Sequence, residues 1–206
     1  MLTIVDYGCG NLGSIVNMFK KIGVECRVSG EPKEILSATS LILPGVGAFD
    51  HGMHELTRRG LIETLNKKVL DGNTPLLGIC LGAQLICRGS EEGVSKGLGW
   101  IDADVICFDK SKLGPNDKIP NMGWHDVNPL LSHPLFFGLE KESRFYFVHS
   151  FHICCDNNLD VLATARHGAC YNAAVSRGNI MGVQFHPEKS HKFGLKLLTN
   201  FASNYG

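Results

Sequence analysis

A short apolar run that passes directly into a Gly-x-Cys-x-Gly motif is the strongest constraint on how this chain folds. Residues 76–79 read Leu-Leu-Gly-Ile, Cys80 follows, and Gly78 and Gly82 stand two residues on either side of it. In such a motif a strand turns sharply into a helix, and the glycines leave room for the crowded backbone. We therefore expect a strand at 76–79 and a helix at 81–88, with Cys80 at the helix start, where the thiolate is favoured over the thiol.

In the first half of the chain predicted strands alternate with predicted helices, and in the second half the pattern changes to a series of short strands. Apolar runs at 2–5, 24–28 and 41–43 read as strands, and helical patterns occupy 12–22, 31–34 and 61–70. This alternation is typical of a parallel sheet. Short strands predicted at 105–108, 144–148, 161–165, 173–176 and 181–185 indicate an antiparallel or mixed half, and a helix at 193–202 closes the chain. The prediction is one α/β domain, 1–206, with a mostly parallel, mixed central sheet flanked by helices.

Composition excludes several classes of partner. Twenty basic and twenty acidic residues cancel, so no positive field is available to attract nucleic acid. No apolar run approaches the roughly 20 residues that span a bilayer, and residues 1–6 read as a first strand rather than a leader. The eight cysteines lack compact disulfide or metal spacing. We expect a cytoplasmic protein with no membrane contact and free cysteines.

A second cluster of reactive residue types lies near the C-terminus. His186 and Glu188 flank Pro187 at the end of an apolar run, and residues i and i+2 of an extended segment share a face. His186 can serve Cys80 as general base and acid, while Glu188 orients its imidazole. Taken singly, Cys80 and His186 read more simply as core residues and Glu188 as a solvated turn residue. The three together favour a Cys-His-Glu triad.

Acyl transfer also requires N–H donors for the oxyanion. The amide of Leu81, directly after the nucleophile, is the expected first donor. A second is expected from the loop PGVG at 44–47, because it follows a predicted strand at the carboxyl edge of the sheet, where ligands bind in open α/β folds. Alone, that loop would be an ordinary turn.

Five motifs together identify a resemblance that spans the chain. They are PGVGAF at 44–49, GICLG with Gln84, NMGW at 121–124, YFVHS at 146–150 and QFHPEKS at 184–190. In these motifs the chain resembles the class I, triad-type glutamine amidotransferases, and more narrowly the glutaminase subunits of imidazole glycerol phosphate synthases. The resemblance implies hydrolysis of L-glutamine without a cofactor. It also implies that ammonia passes to a (β/α)₈-barrel cyclase, which makes imidazole glycerol phosphate and AICAR in histidine biosynthesis.

The resemblance also implies residue roles. Val46 would supply the second oxyanion amide, and only when the synthase partner is engaged. The residues expected to bind glutamine are Gly47, Gln84, Ser150 and Phe151. The residues expected at the partner interface are Asn11, Asn121, Trp124, Tyr146 and Lys189. Without the resemblance, Trp124 and Tyr146 would read as core residues and Lys189 as a solvated charge.

Three alternatives stay open. Ala83, His125 and Phe151 depart from the family's usual residues, so the same glutaminase could serve a sugar amidotransferase in surface-polysaccharide (lipopolysaccharide) biosynthesis. A catalytically silent binding module on this scaffold is a second alternative, although it would be expected to lose a triad residue. A metal site is the third. His149 and His152, three residues apart beside an aromatic strand, do not have ligand spacing on one strand face, so we expect none.

Overall fold

A computed structural model describes residues 1–115, 117–139 and 143–206. Six α-helices are present among the described residues: α1 Leu12–Lys21, α2 Pro32–Leu36, α3 Phe49–Arg58, α4 Leu61–Asn66, α5 Leu81–Leu85 and α6 His191–Tyr205. The strands of the first half are β1 Leu2–Val5, β2 Cys26–Ser29, β3 Ser40–Leu43 and β4 Leu76–Ile79. Those of the second half are β5 Ala103–Cys107, β6 Asn121–Pro129, β7 Ser143–His149, β8 Phe151–Cys155, β9 Val161–His167, β10 Ala169–Arg177 and β11 Ile180–Val183.

The strands form one mixed sheet in the order β2-β1-β3-β4-β11-β10-β9-β6-β7, with β8 and β5 branching from β10. The pairs from β2 to β11 along this order are parallel, and those from β11 to β7 are antiparallel. The predicted α/β class with a mixed sheet is therefore confirmed. Because β3, β4 and β11 are parallel neighbours, their carboxyl ends meet at one edge of the sheet, where the predicted catalytic residues follow them.

The two faces of the sheet bury separate hydrophobic cores. Successive strand residues point to opposite faces, so Ile42 of β3 joins one core while Leu41 and Leu43 join the other. The first core is covered by α1 and α6, and the second by α3, α4 and α5. No helix among the described residues has the length and apolar character needed to cross a membrane.

Three sequence expectations were incomplete. Helix α5 ends at Leu85, not at 88, because amides of the segment 97–101 bind the carbonyls of Leu85, Ile86 and Cys87, which closes that end of the helix. Helix α3 was missed, although its buried Phe49, Met53 and Leu56 have helical spacing. Strands β6 and β8 were also missed, and the exposed residues of β6 explain why an apolar pattern did not reveal it.

Candidate active site

Cys80 sits at a sharp turn between β4 and α5. Its φ of 53° and ψ of −108° lie where residues other than glycine rarely occur. Its amide donates to Val183 O of β11 at 2.8 Å, which fixes the turn against the neighbouring strand. A Cβ at Gly82 would overlap Leu43 O, and one at Gly78 would lie 2.8 Å from the Ala83 backbone. Both glycines of the motif are therefore required sterically, as the sequence predicted.

His186 and Glu188 form a buried pair behind the cysteine. Nδ1 of His186 lies 2.7 Å from Oε1 of Glu188, and their side chains are 1% and 3% exposed. The β4–β11 register pairs Ile79 with Val183, which brings the segments holding Cys80 and His186 to the same edge. The backbone between the two residues differs from the expected extended segment. Strand β11 ends at Val183, and Pro187–Lys189 form a 3₁₀ turn.

The electrostatics of His186 depend on both neighbours. Burial lowers the pKa of His186, but interactions with the Cys80 sulfur in its thiolate form and with the Glu188 carboxylate more than offset this and raise the pKa to about 9. These two neighbours therefore favour the protonated, imidazolium form of His186. Nε2 of His186, the nitrogen that does not face Glu188, is buried and has no hydrogen-bond partner.

A carbonyl group lies where the sequence predicts an oxyanion donor. Leu81 N–H, the expected first donor, binds Gly45 O at 3.4 Å. The loop carrying Gly45 is anchored by Tyr7, whose buried hydroxyl donates to Pro44 O at 2.6 Å. A Cβ at Gly45 would come within 2.5 Å of the same hydroxyl oxygen. Val46, the expected second donor, is 44% exposed at the rim. The loop must therefore move before Leu81 can bind an oxyanion.

A cavity of about 280 Å³ lies against the cysteine. It brings together nearly all residues expected in catalysis and glutamine binding: Val46, Gly47, Cys80, Leu81, Gln84, Ser150, Phe151 and His186. Glu188 lies behind His186, away from the cavity wall. Gln84 is held by its Nε2, which donates to Phe151 O at 3.1 Å and to Gln184 Oε1 at 3.2 Å. These two bonds fix the orientation of the Gln84 side chain at the cavity wall.

The residues expected at a partner interface divide into two groups. Trp124 and Tyr146 are paired across β6 and β7 with ring centroids 6.2 Å apart, and Lys189 Nζ lies 5.6 Å from the Tyr146 ring. His191, which the sequence did not indicate, stacks on Trp124 at 5.4 Å. We call these four residues the aromatic patch. His186 N donates to Tyr146 O at 2.9 Å, so the aromatic patch adjoins His186 directly.

Asn121 and Asn11 do not belong to the aromatic patch as the structure has it. Asn121 is fully buried, and its amide binds His149 and Tyr171, which differs from the expected surface contact. Asn11 caps α1 by accepting from Ser14 N at 3.2 Å. Its exposed position leaves room for a partner contact, and that role stays a prediction.

Sequence reasoning missed three further residues of the site. Nε2 of Gln184 lies 3.9 Å from Cys80 Sγ, and His149 borders the cavity. Tyr7 anchors residues 44–47, which we call the oxyanion loop after the role expected for Val46. Gln184 and His149 stand within motifs quoted above, but a motif gives no contact between residues a hundred positions apart. Within residues 1–115, 117–139 and 143–206, no group of three or more His, Cys, Asp or Glu side chains is placed to hold a metal.

Comparison with known proteins agrees with this arrangement. The model of the class-I glutamine amidotransferase family matches residues 3–204. The chain is 52% identical to imidazole glycerol phosphate synthase subunit HisH 2 of Methanococcus maripaludis and 45% identical to the protein of the same name from Pseudomonas aeruginosa, each match covering 98% of both chains. The structure of PurLQS from Thermotoga maritima matches with a TM-score of 0.72 at 19% identity. The match covers 98% of this chain and 97% of the matched chain, which shows a shared fold. The chain belongs to the class-I glutamine amidotransferase family.

Proposed function

We propose that this chain is the glutaminase subunit of an imidazole glycerol phosphate synthase in histidine biosynthesis. The observation that carries the proposal is a buried His186–Glu188 pair, 2.7 Å apart, beside a cysteine held at a strained strand-to-helix turn. The pathway is supported by relatives 45 and 52% identical over 98% of the chain, whose names are those of such subunits. A cytoplasmic location is part of this proposal.

The proposed reaction begins with Cys80. The imidazolium of His186 favours the thiolate, the nucleophilic form, which attacks the side-chain amide carbon of glutamine. The resulting tetrahedral oxyanion collapses as His186 gives its proton to the amide nitrogen, so that ammonia leaves and a glutamyl thioester remains. Neutral His186 then takes a proton from water, whose oxygen attacks the thioester. Glutamate is released, and the thiolate–imidazolium pair is regenerated.

The oxyanion loop makes the proposed activity dependent on a partner. Leu81 N–H binds Gly45 O in the observed conformation, so a tetrahedral oxygen would compete with that carbonyl. One oxyanion donor is worth roughly 3 kcal/mol, or on the order of a hundredfold in rate. We therefore expect the isolated chain to be a poor glutaminase. A cyclase bound at the aromatic patch would act next to His186, because Tyr146 is bonded to it through the backbone.

The sugar amidotransferase alternative is retained because Ala83, His125 and Phe151 depart from the residues usual in the histidine-pathway subunits. The proposed catalytic residues would be the same, and only the partner would differ.

The test is a reconstitution with purified subunits. The chain is mixed with a (β/α)₈-barrel cyclase from its own genome, and glutamate formation is measured with and without the cyclase and its ligand. We expect a stable complex and stimulation on the order of a hundredfold or more. Failure to bind any cyclase, together with stimulation by a sugar amidotransferase, would instead establish the alternative. Full turnover by the isolated chain would refute the role given to the loop.

A further inference from the structure

A chain of buried hydrogen bonds leads from the first residue of β6 to the nucleophile. Asn121 Nδ2 lies 3.1 Å from His149 Nε2, and His149 Nδ1 lies 2.7 Å from Phe151 O. The same carbonyl accepts from Gln84, which binds Gln184, whose Nε2 lies 3.9 Å from Cys80 Sγ. The side chains in this series are nearly inaccessible to water, with Asn121 and Gln184 at 0%.

The contacts of His149 define which of its nitrogens carries the proton. Burial lowers the pKa of His149 to about 3, so the ring is neutral and has one donor and one acceptor nitrogen. A carbonyl can only accept, so the short contact with Phe151 O requires the proton on Nδ1. Nε2 must then accept, and the Asn121 amide N–H supplies the matching donor.

The orientation of the Asn121 side chain leaves one of its own polar atoms unpaired. Its Nδ2 also donates to Tyr171 Oη at 3.1 Å, while its Oδ1 is buried without a hydrogen-bond partner. An orphaned buried oxygen is unfavourable, so the orientation must be set by what the N–H groups bind. The amide is thus arranged to donate toward His149.

We propose that Asn121 is a positioning residue: it fixes His149 as the Nδ1–H tautomer and so holds the Phe151 carbonyl, Gln84 and Gln184 in place against Cys80. Asn121 pairs with His149 in the β6–β7 register, three residues before Trp124 of the aromatic patch. A shift of β6 would therefore reach the nucleophile through this series. The kinetic side of the inference rests on the proposed glutaminase function, whereas the tautomer does not.

The sharpest variant is Asn121→Asp, which preserves shape but replaces the donor by an acceptor. The carboxylate requires a proton on Nε2, so a neutral ring would lose its Nδ1–H and leave Phe151 O facing a lone pair. A doubly protonated ring would satisfy both neighbours, and the new carboxylate favours that form at lower pH. The titratable groups that surround His149 from other strands are His125, His152, His167 and Tyr171. Burial lowers the pKa of both His125 and His152, so their uncharged forms are favoured and they compete little with this protonation.

The experiment combines kinetics with nitrogen NMR of the histidines. For the Asn121→Asp subunit in complex with its synthase, we expect kcat/KM for glutamine to fall about tenfold at pH 8 and to recover relative to wild type toward pH 6. Tyr171→Phe, which keeps the Asn121–His149 contact, should stay within about twofold of wild type. In the wild-type chain His149 should be the neutral Nδ1–H tautomer from pH 6 to 8.

Three results would overturn the inference. They are an Nε2–H tautomer in the wild type, wild-type kinetics in Asn121→Asp, or a loss in that variant that does not change with pH, as a packing defect would give. The NMR measurement needs no variant, so it applies even if Asn121→Asp does not fold. A wild-type complex that hydrolyses no glutamine but shows the Nδ1–H tautomer would refute the proposed function and leave the positioning intact.

Discussion

Replacing Cys80 by glycine or by alanine separates the chemical role of the sulfur from the backbone strain at the turn. Both substitutions remove Sγ, and they differ by the Cβ that the alanine variant retains at φ 53° and ψ −108°. A residue other than glycine in such a sparsely populated region costs about 1–3 kcal/mol. The glycine variant is in turn destabilised by about 0.5–1 kcal/mol, because glycine makes the unfolded chain more flexible and so raises its entropy. The balance is about 1 kcal/mol in favour of Cys80→Gly.

The assay is thermal and urea unfolding of the two variants in parallel. For a chain of this length, about 1 kcal/mol corresponds to a Tm roughly 2–4 °C higher for Cys80→Gly than for Cys80→Ala. Neither variant should hydrolyse glutamine, so any difference between them is one of stability alone. An alanine variant as stable as the glycine variant, or more stable, would refute the claim that the turn stores strain to present the thiol.

Three further predictions concern the proposed site. The kcat/KM of the complex for glutamine should decline as pH rises through about 9, where His186 loses its proton. Glu188→Gln should move this decline to lower pH because the carboxylate stabilises the imidazolium. An unchanged pH profile in this variant would contradict the pairing of His186 with Glu188. Tyr7→Phe removes a hydrogen bond, worth about 1 kcal/mol, that holds the oxyanion loop in its observed conformation. Glutamate release by the isolated chain should therefore rise about fivefold, and an unchanged rate would show that Tyr7 does not have this role. Trp124→Ala should weaken cyclase binding, measured by titration, about thirtyfold, and Lys189→Ala should lower glutamine-coupled synthesis more than ammonia-dependent synthesis. The control variant Leu159→Ala, at an exposed position, should change neither property. Wild-type behaviour of both patch variants would exclude the aromatic patch as the interface.

Local chemistry made several elements of the first half of the fold, and the strand-to-helix turn at Cys80, predictable. The apolar run into Gly78, Cys80 and Gly82 predicts a strand-to-helix turn because glycines on both sides of the cysteine leave room for the crowded backbone. Strands β1 and β4 and helix α1 follow from apolar patterns with clear ends. These features depend on neighbours in sequence, which is the information that a single sequence contains.

Features that depend on distant partners were not predictable. Helix α5 is ended by hydrogen bonds from the segment 97–101, which no signal at Leu85 announces. Asn121 was expected at the surface from a motif, but its amide is buried against His149 and Tyr171. The hydrogen bond from Leu81 N–H to Gly45 O likewise joins residues 36 positions apart, and residue types alone do not indicate it.

The most direct test of the central claim is covalent labelling of the wild-type complex by a glutamine analogue that bears an electrophile at the amide position, followed by peptide mass mapping. The chain's eight cysteines provide internal controls, because all of them except Cys80 should stay unmodified. We predict a single adduct on each chain, at Cys80, formed in step with the loss of glutaminase activity and prevented by excess glutamine. An adduct on another cysteine that accompanies full inactivation, with Cys80 unmodified, would contradict the assignment of Cys80 as the nucleophile.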